Sequence, residues 1–266
     1  MTTLDVLTFN LNNPGRERAE RQLDYLAARP EDVLVLTETV DSAGCDLLAG
    51  AFRDAGYNVH YPRPPRGERG VMIVSRLVTT ARPAAVSYLP HRCETVTVGT
   101  DQGPLDIVGL YVPSRDSTEV KTRRKQDFLS DLCWSLPSGC QELRLVLGDF
   151  NILEPDHQPH YRFFRRFEYA AYEWFAEAGY RDAFRMLHPK AQEYSWVGRT
   201  GDGYRYDHAH TSSGLATALI SCTYVHEVRT AENRLTDHSA LTVSLALQAT
   251  APLPVTTPAT QPTGLF

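Results

Sequence analysis

Short apolar runs that alternate with helical segments constrain the fold of this chain more than any other feature. Each run is rich in Val, Ile and Leu and is bounded by Gly, Pro, Asn or Asp, which is typical of β-strands. We predict strands at residues 5–10, 32–38, 71–75, 94–99, 105–111, 143–147, 206–212, 219–228 and 239–247, and helices at residues 16–28, 45–55, 118–135 and 162–178. This order gives two similar mixed halves. It predicts an α/β (α+β) fold, a four-layer sandwich of two packed mixed β-sheets flanked by helices.

Length and composition bound the number of domains. The chain has 266 residues, 42% of them hydrophobic and 22% charged, which is enough for one sizeable core. We therefore predict one domain over residues 1–248. From Ala249 to Phe266 the chain is rich in Pro, Thr and Ala and offers little to pack, so we predict a disordered C-terminal tail.

Targeting signals and cysteine usage indicate the class of protein. No apolar stretch approaches the roughly 20 residues that span a bilayer, and the start of the chain lacks the basic and apolar regions of a secretory signal. Five cysteines are scattered without metal-type spacing, which favours reduced thiols. We expect a cytoplasmic, monomeric enzyme that does not associate with membranes.

The charge of the chain does not by itself indicate a nucleic-acid binder, because the net charge is −5. Most basic residues are arginines, which favour bidentate contact with phosphate. Taken singly, each local group of arginines is better explained as a solvated surface. A phosphate-binding side would require an uneven distribution of charge between faces of the molecule. The groups include Arg16, Arg18 and Arg21; Arg63, Arg66 and Arg69; Arg123 and Arg124; and Arg162, Arg165 and Arg166.

The pentapeptide Leu147-Gly148-Asp149-Phe150-Asn151 is the most informative segment for function. Alternating leucines lead into it as a strand, and side chains two residues apart on a strand point the same way. Asp149 and Asn151 can therefore face one centre, where a carboxylate and an amide would suit a hydrated divalent cation and a phosphate. The alternative is an ordinary strand-to-turn junction, since Gly, Asp and Asn all favour turns.

Polar side chains occur at the ends of several other predicted strands. Singly, each could be a turn residue, a helix cap or a half-buried packing residue. Together they supply metal carboxylates, a base that activates water, and donors for phosphoryl oxygens, which is what Mg2+-dependent phosphodiester cleavage needs. The set comprises Asn10, Asn12, Glu38, Tyr111, Asp207, Asp237 and His238.

Six segments resemble, in order, the exonuclease III-like apurinic/apyrimidinic (AP) endonucleases of the endonuclease/exonuclease/phosphatase superfamily. A further region, with Tyr194-Ser195-Trp196 and Arg205-Tyr206-Asp207, is similar to the DNA-repair branch. The chain departs from the family pattern at Thr37, where Gln is common, and at His208, where Tyr or Leu is usual. The six segments are Thr8-Phe9-Asn10-Leu11-Asn12, Leu36-Thr37-Glu38-Thr39, residues 70–76, Leu110-Tyr111-Val112-Pro113, Gly148-Asp149-Phe150-Asn151 and Thr236-Asp237-His238-Ser239.

The resemblance implies a role for each site residue. Glu38 would be the principal ligand of Mg2+, or of Mn2+ in its place, with Asp237 completing the site and Asn10 steadying it. Asp149 would manage the attacking water, and Asn151 would hold that water or a phosphoryl oxygen. His238, held in its tautomer by Asp207, would donate to the phosphate. Tyr111 would contact the phosphate or the leaving group, and Asn12, Trp196 and Arg205 would bind the substrate.

The implied function is metal-dependent hydrolysis of DNA phosphodiesters, as an AP endonuclease and/or a 3′–5′ exonuclease. Trp196 would line the pocket for an extrahelical abasic sugar, and simple loop packing is its alternative. A phosphodiesterase or phosphatase that acts on a small nucleotide or a phospholipid is the alternative function. A non-catalytic binding protein is disfavoured by the intact polar set. The three lysines and the negative net charge bring duplex affinity into question.

Overall fold

The structure is a computed structural model that describes residues 3–138 and 142–259. The strands in this part of the chain are β1 (Leu4–Asn10), β2 (Val33–Thr39), β3 (Asn58–His60), β4 (Gly70–Ser75), β5 (Thr79–Arg82), β6 (Cys93–Thr100), β7 (Gly103–Tyr111), β8 (Leu143–Asp149), β9 (Tyr180–Asp182), β10 (Trp196–Val197), β11 (Gly203–Tyr204), β12 (Asp207–Ser212), β13 (Leu219–Val225) and β14 (Ala240–Leu245). The helices are α1 (Arg16–Ala27), α2 (Ala43–Asp54), α3 (Glu119–Ser135), α4 (Arg166–Glu177), α5 (Ala183–Leu187), α6 (Ser213–Ala216) and α7 (Glu227–Thr230).

Two six-stranded sheets form the centre of the molecule. The first has the strand order β13-β14-β1-β2-β4-β3, and the second has the order β5-β6-β7-β8-β12-β9. Each sheet contains one parallel pair, β1 with β2 and β7 with β8, while the neighbouring pairs are antiparallel. The prediction of two mixed sheets is confirmed. In each sheet the two parallel strands end at the same edge, so the side chains that follow them are brought together.

An apolar core lies between the two sheets, and helices cover their outer faces. Val35 and Ile73 of the first sheet share one buried cluster with Ile107 and Leu147 of the second. A second cluster packs α1 and α2 against the first sheet, and a third packs α3 and α4 against the second. The four predicted layers are confirmed. Because both faces of the central strands are covered, those strands are apolar almost throughout.

The short elements at the edges of the sheets differ most from the prediction. The strand predicted over residues 219–228 ends at Val225, and the chain continues into α7. The helix predicted over residues 162–178 begins at Arg166, where Glu168 accepts a hydrogen bond from the backbone N–H of Arg165 (2.9 Å). Strands β3, β5 and β9 were not predicted. They contain three or four residues each, and pairing with a longer neighbour forms them where local propensity does not.

The prediction of a disordered tail from Ala249 is wrong for residues 249–259, which lie along the body of the protein. The backbone N–H groups of Thr250, Leu253 and Thr256 donate to the carbonyls of Gly99 (3.0 Å), Arg76 (2.8 Å) and Ala55 (2.8 Å). Backbone hydrogen bonds make most of this contact, so the side-chain composition of the segment did not reveal it. The folded body therefore extends past the predicted boundary at residue 248. Residues 260–266 lie outside the described residues.

The described cysteines and helices can be compared with the thiols and apolar stretches of the sequence. Cys45, Cys93, Cys133 and Cys222 are free thiols, and Cys140 lies outside the described residues. Across residues 3–138 and 142–259, every helix is too short or too polar to cross a bilayer.

Candidate active site

The carboxyl ends of the two parallel pairs bring four polar side chains to one edge of the sandwich. Asn10 ends β1, Tyr111 ends β7 and Asp149 ends β8. Glu38 lies near the end of β2, at an irregularity in the pairing with β4, and has a positive φ of 54°. Bulges of this kind redirect a side chain, and strained backbone of this kind is concentrated at functional sites.

Gly148 allows the second sheet to close tightly beside Asp149. Its φ is 147°, and a Cβ atom at this position would lie 2.0 Å from the carbonyl oxygen of Leu110 on the neighbouring strand β7. Real Cβ atoms do not approach a backbone oxygen so closely, so only glycine fits. The glycine of the pentapeptide is therefore a packing requirement of the β7–β8 pair.

Two hydrogen bonds join side chains of the first sheet to side chains of the second. Asn10 Nδ2 donates to Asp149 Oδ2 (3.0 Å), and the Tyr111 hydroxyl donates to Glu38 Oε1 (2.8 Å). The Oδ1 atom of Asn10 accepts from the backbone N–H of Asn12 (2.8 Å). Asn10 is thereby held in one amide orientation, and its NH2 group is aimed at the carboxylate.

A third contact between the sheets joins Asp207 and His238. Asp207 begins β12 directly opposite Asp149 of β8, and His238 lies just before β14 of the first sheet. Asp207 Oδ2 lies 2.8 Å from His238 Nδ1. An ionised carboxylate only accepts, so Nδ1 carries the proton and Nε2 is the nitrogen available to a ligand. Ligand atoms of Asp149, Asp207 and His238 all lie within 4.8 Å of one another.

Burial and crowding of charge shift the acid–base properties of this group. Burial raises the pKa of Asp149 well above its usual range, with Asp207 and Glu38 adding to the effect and His238 opposing it. Burial by itself would lower the pKa of His238, but Asp207 and Asp149 outweigh it and raise the value to about 10. Burial, followed by the charges of Glu38 and Asp149, also raises the pKa of Tyr111. Tyr111 is therefore a neutral hydrogen-bond donor.

Asn151 and Asp237 are held by partners at the margin of this group. The side-chain amide of Asn151 donates to the carbonyl of Val112 (3.1 Å), and its backbone N–H donates to Asp149 Oδ1 (3.0 Å). Asp237 Oδ2 accepts from the indole N–H of Trp196 (3.1 Å). In the described part of the chain, the cluster that forms at this edge is that of Asp149, Asp207 and His238, without Glu38 or Asp237. The assignment of Glu38 and Asp237 as metal ligands stays a prediction.

The donor set at this edge fits a hard divalent cation. Glu38 and Asp149 supply carboxylate oxygens, which Mg2+ and Mn2+ prefer, and Asn10 orients the Asp149 carboxylate through its NH2 group. The carboxylates of Glu38, Asp149 and Asp207 are close enough for the first and third to raise the pKa of the second. A bound cation would relieve this repulsion, which is the physical argument for one.

Arg205 does not lie where the sequence predicted it. Its side chain is fully buried, and its guanidinium donates to Glu154 (2.7 and 3.1 Å), Asp182 (2.8 Å) and the hydroxyl of Tyr172 (3.2 Å). It has no path to a substrate, so its assignment to substrate binding is wrong. The acids that pair with it lie 23 or more residues away in the chain, so the sequence alone gave no sign of them.

Trp196 belongs to an aromatic wall beside His238, which we define as Tyr161, Trp196, Tyr204 and Tyr206. Tyr204 stacks on Tyr161 (4.3 Å between centroids) and on Tyr206 (5.2 Å), and the Trp196 ring lies 5.4 Å from the Tyr204 ring. The Tyr206 ring is 6.5 Å from the imidazole of His238. All four rings are partly exposed. The sequence pointed to Trp196 but not to the three tyrosines. The available signal was the alternation of Tyr204 and Tyr206 with Gly203 and Arg205.

Ser195 is a positioning residue that the sequence analysis did not single out. Its hydroxyl accepts from the backbone N–H groups of Tyr206 (2.9 Å) and Asp207 (3.0 Å). Its carbonyl accepts from the N–H of Ser239 (2.7 Å). One buried serine therefore fixes the chain on both sides of the Asp207–His238 pair.

Several arginines of the predicted basic groups are paired with acids. Arg63 contacts Asp41 (2.6 Å) and Asp46, Arg69 lies 3.4 Å from Glu38, and Arg124 contacts Glu68. These side chains do not form a free cationic groove. Arg69 is the one of them that reaches the candidate active site.

Comparisons with known proteins agree with this geometry. Residues 7–238 match the model of the endonuclease/exonuclease/phosphatase family. Similar solved structures include a 3′ phosphatase from Neisseria bound to a product DNA hairpin (23% identity, TM-score 0.77), a 3′–5′ exonuclease from Neisseria meningitidis (25%, 0.76) and an AP endonuclease from Archaeoglobus fulgidus (23%, 0.76). Each comparison covers 91% of this chain and 99% of the other. No curated protein sequence matches the chain significantly. The chain belongs to the endonuclease/exonuclease/phosphatase family.

Proposed function

We propose that this enzyme hydrolyses phosphodiester bonds in DNA with the aid of a divalent cation, as an AP endonuclease and/or a 3′–5′ exonuclease. The observation that carries the proposal is the set of three side-chain hydrogen bonds between the sheets, Asn10–Asp149, Tyr111–Glu38 and His238–Asp207. Together these residues supply an anionic base, neutral donors and an oriented imidazole around one centre. That inventory matches in-line attack of water on a phosphate.

The proposed roles follow from the contacts of each residue. Glu38, with Asn10 beside it and Asp237 directly or through water, would hold Mg2+ or Mn2+, and the cation would neutralise charge on the phosphate. Asp149, whose carboxylate is held by the Asn10 amide and the Asn151 backbone N–H, accepts the proton of the attacking water. Asn151 holds that water or a phosphoryl oxygen. His238 donates from Nε2 to a phosphoryl oxygen, with Asp207 fixing the ring.

Other residues contact the leaving group and the nucleobase side of the substrate. The hydroxyl of Tyr111 donates to the oxygen on which charge develops as the bond breaks. Asn12 lies beside Asn10 and contacts the nucleotide next to the cut. The aromatic wall offers faces on which an extrahelical sugar or an exposed base stacks, an interaction worth roughly 1–3 kcal/mol per base. The names of three similar structures, an AP endonuclease, an exonuclease and a DNA-bound 3′ phosphatase, support DNA as the substrate.

A second candidate is hydrolysis of a small nucleotide or phospholipid ester at the same centre. The pairing of Arg63 and Arg124 with acids, together with a net charge of −5, favours it, because duplex binding relies on free cations that contact phosphates. The aromatic wall favours DNA, since a small phosphate ester has no need of four aromatic rings beside the centre. We therefore place DNA first.

The test is incubation with a labelled duplex that carries one abasic-site analogue, in Mg2+ and separately in EDTA. We expect incision beside the analogue or stepwise shortening from the 3′ end in Mg2+, and neither in EDTA. Asp149→Asn removes the base and should abolish both. Asp24→Asn, at an exposed position on α1, is the matched control and should keep full activity. If the wild-type protein leaves the DNA intact but hydrolyses a small phosphodiester, the second candidate is favoured.

A further inference from the structure

A second cluster of ligand-type side chains lies on the other face of the second sheet. His208 and His210 alternate along β12 with Asp207 and Ala209, so they point away from the core between the sheets and towards α4. His210 is directly opposite Asp182 of β9 in the strand register. Ligand atoms of Asp182, His208 and His210 all lie within 4.8 Å of one another. The candidate active site uses none of the three.

The tautomer of His208 leaves one nitrogen lone pair in this cluster. His208 Nε2 lies 3.1 Å from the carbonyl oxygen of Ile152, which can only accept, so Nε2 carries the proton. His208 Nδ1 therefore has a free lone pair, and it lies 3.5 Å from Asp182 Oδ2 without a hydrogen bond. A ring N–H fixed by a backbone carbonyl, with the other nitrogen left bare, is the arrangement of a metal-binding histidine.

His210 is the strongest single indication of a ligand. Its side chain is 2% exposed, and neither ring nitrogen has a hydrogen-bond partner among the described residues. Its ring stacks on Phe175 (4.4 Å between centroids, 19° between planes), so its orientation is fixed. Leaving buried polar atoms without partners is costly, and a bound cation would satisfy one of the two nitrogens.

Asp182 supplies a positioned carboxylate. Asp182 Oδ2 accepts from Arg205 (2.8 Å) and from the Tyr172 hydroxyl (2.8 Å), and Oδ1 accepts from the backbone N–H of Arg185 (2.9 Å). These three donors stabilise the ionised form of the Asp182 carboxyl. Glu154 pairs with both Arg205 and Arg185, so this network of two arginines and two acids is neutral before a cation binds. Asp182 supplies an oriented carboxylate oxygen to the cluster.

A cavity leads to the cluster from the surface. Its volume is about 300 Å³, and Asp182 and His210 line it together with Tyr172 and Tyr180. Arg181 and Ser213, which are exposed, also line it. An ion and its remaining water ligands can enter by this route without unfolding the sheet.

We propose that Asp182, His208 and His210 form a second metal site, separate from the candidate active site, for a borderline dication of the Zn2+ class. Two imidazoles and one carboxylate suit Zn2+, with Cu2+ or Ni2+ as tighter competitors, and do not suit Mg2+. The site joins β9 to β12 and lies beneath α4, so the bound metal stabilises the outer layer of the second sheet.

The test measures Zn2+ binding in a background that disrupts the other cluster, formed by Asp149, Asp207 and His238. The background is the double variant Asp149→Asn with His238→Asn, stripped with EDTA, dialysed and titrated with Zn2+ in millimolar Mg2+. We expect one equivalent of Zn2+ to bind and the Tm to rise with Zn2+ concentration, because the metal binds the folded state. Co2+ in place of Zn2+ should give the visible absorption of a low-coordinate nitrogen- and oxygen-bound ion.

Adding the substitution His210→Leu to this background distinguishes a metal site from a cluster that has only a structural role. We expect it to weaken Zn2+ binding at least a hundredfold and to abolish both the Tm shift and the Co2+ absorption. Leucine removes two unpaired buried nitrogens, so the metal-free variant should unfold cooperatively at a Tm no lower than that of the background. His188→Leu, at an exposed position, should leave binding unchanged. Absence of binding in the background, or equal binding with and without His210, would overturn the proposal.

Discussion

Among single residues, Asp207 of the second sheet orients His238, which lies just before β14 of the first sheet. It begins β12, yet its carboxylate accepts from the imidazole of His238 just before β14. We expect Asp207→Asn to lower kcat roughly 10²–10⁴-fold with a small change in KM, because the amide can favour the wrong tautomer of His238. The measurement is steady-state hydrolysis of the abasic-site duplex. Asp202→Asn, at an exposed loop position, is the control, and a loss of less than tenfold in Asp207→Asn would contradict the role of the pair.

Glu94 makes stability depend on pH. It lies on the same face of β6 as Val96 and Val98, which face the core between the sheets, and burial raises its pKa from 4.5 to about 7. An acid whose pKa is raised by folding contributes most stability below pH 4.5 and loses that contribution as the pH rises through about 7. After allowance for its partial exposure, the loss is about 1–2 kcal/mol.

We therefore expect Glu94→Gln to raise the free energy of unfolding by about 1–2 kcal/mol at pH 8 and to change it little at pH 4.5. The measurement is urea denaturation of both proteins at the two pH values. The same comparison with Glu173→Gln, at an exposed position of α4, should show no pH-dependent difference. A gain from Glu94→Gln that is equal at both pH values would refute the assignment to ionisation.

Among the elements, the β7–β8 pair depends most on a single glycine. A Cβ on Gly148 would lie 2.0 Å from the Leu110 carbonyl oxygen, so Gly148→Ala must push the two strands apart. We expect a loss of about 3 kcal/mol or more in the free energy of unfolding, together with loss of activity through displacement of Asp149. Gly50→Ala is the matched control, because Gly50 lies in α2 with open space around it. That substitution should stabilise the protein by about 0.5–1 kcal/mol.

The central elements were predictable because both of their faces are buried. Strands β1, β2, β7 and β8 are mostly apolar, and the rule that parallel strands end at one edge brings Asn10, Glu38, Tyr111 and Asp149 together. The partners of the site depend on how the two sheets face each other, which strand periodicity does not specify. The bond from Trp196 to Asp237 and the burial of Arg205 among Glu154 and Asp182 are of this kind.

At the scale of the whole molecule, residues 249–259 join the two sheets at the edge opposite the candidate active site. They bond to Gly99 of β6 in the second sheet and to Arg76, which directly follows β4 of the first. Strand β6 runs antiparallel to β7, and β4 runs antiparallel to β2. Strands β6 and β4 therefore end at the edge of the sheets opposite the candidate active site, where both contacts lie. The segment therefore ties the sheets together without reaching the catalytic centre.

We expect removal of residues 249–266 to lower the Tm by roughly 4–8 °C, because several backbone hydrogen bonds are lost at a net cost of about 2 kcal/mol. Differential scanning calorimetry measures the change. Comparison with a chain that lacks only residues 260–266 isolates the part of the change that belongs to residues 249–259. Since the contacts are remote from the candidate active site, kcat at 25 °C should stay unchanged in both truncations, and a parallel fall in kcat would contradict this placement.

The pairing of β1 with β14 has a consequence for the cell during synthesis. The three side-chain hydrogen bonds on which the proposed function rests join the two sheets, and His238 takes its place only when β14 has paired with β1. His238 follows Asn10 by 228 residues, so it is translated roughly 10–50 s later at about 5–20 residues per second. A nascent chain in which β14 has not yet formed therefore lacks His238 at the centre and should not hydrolyse phosphodiesters.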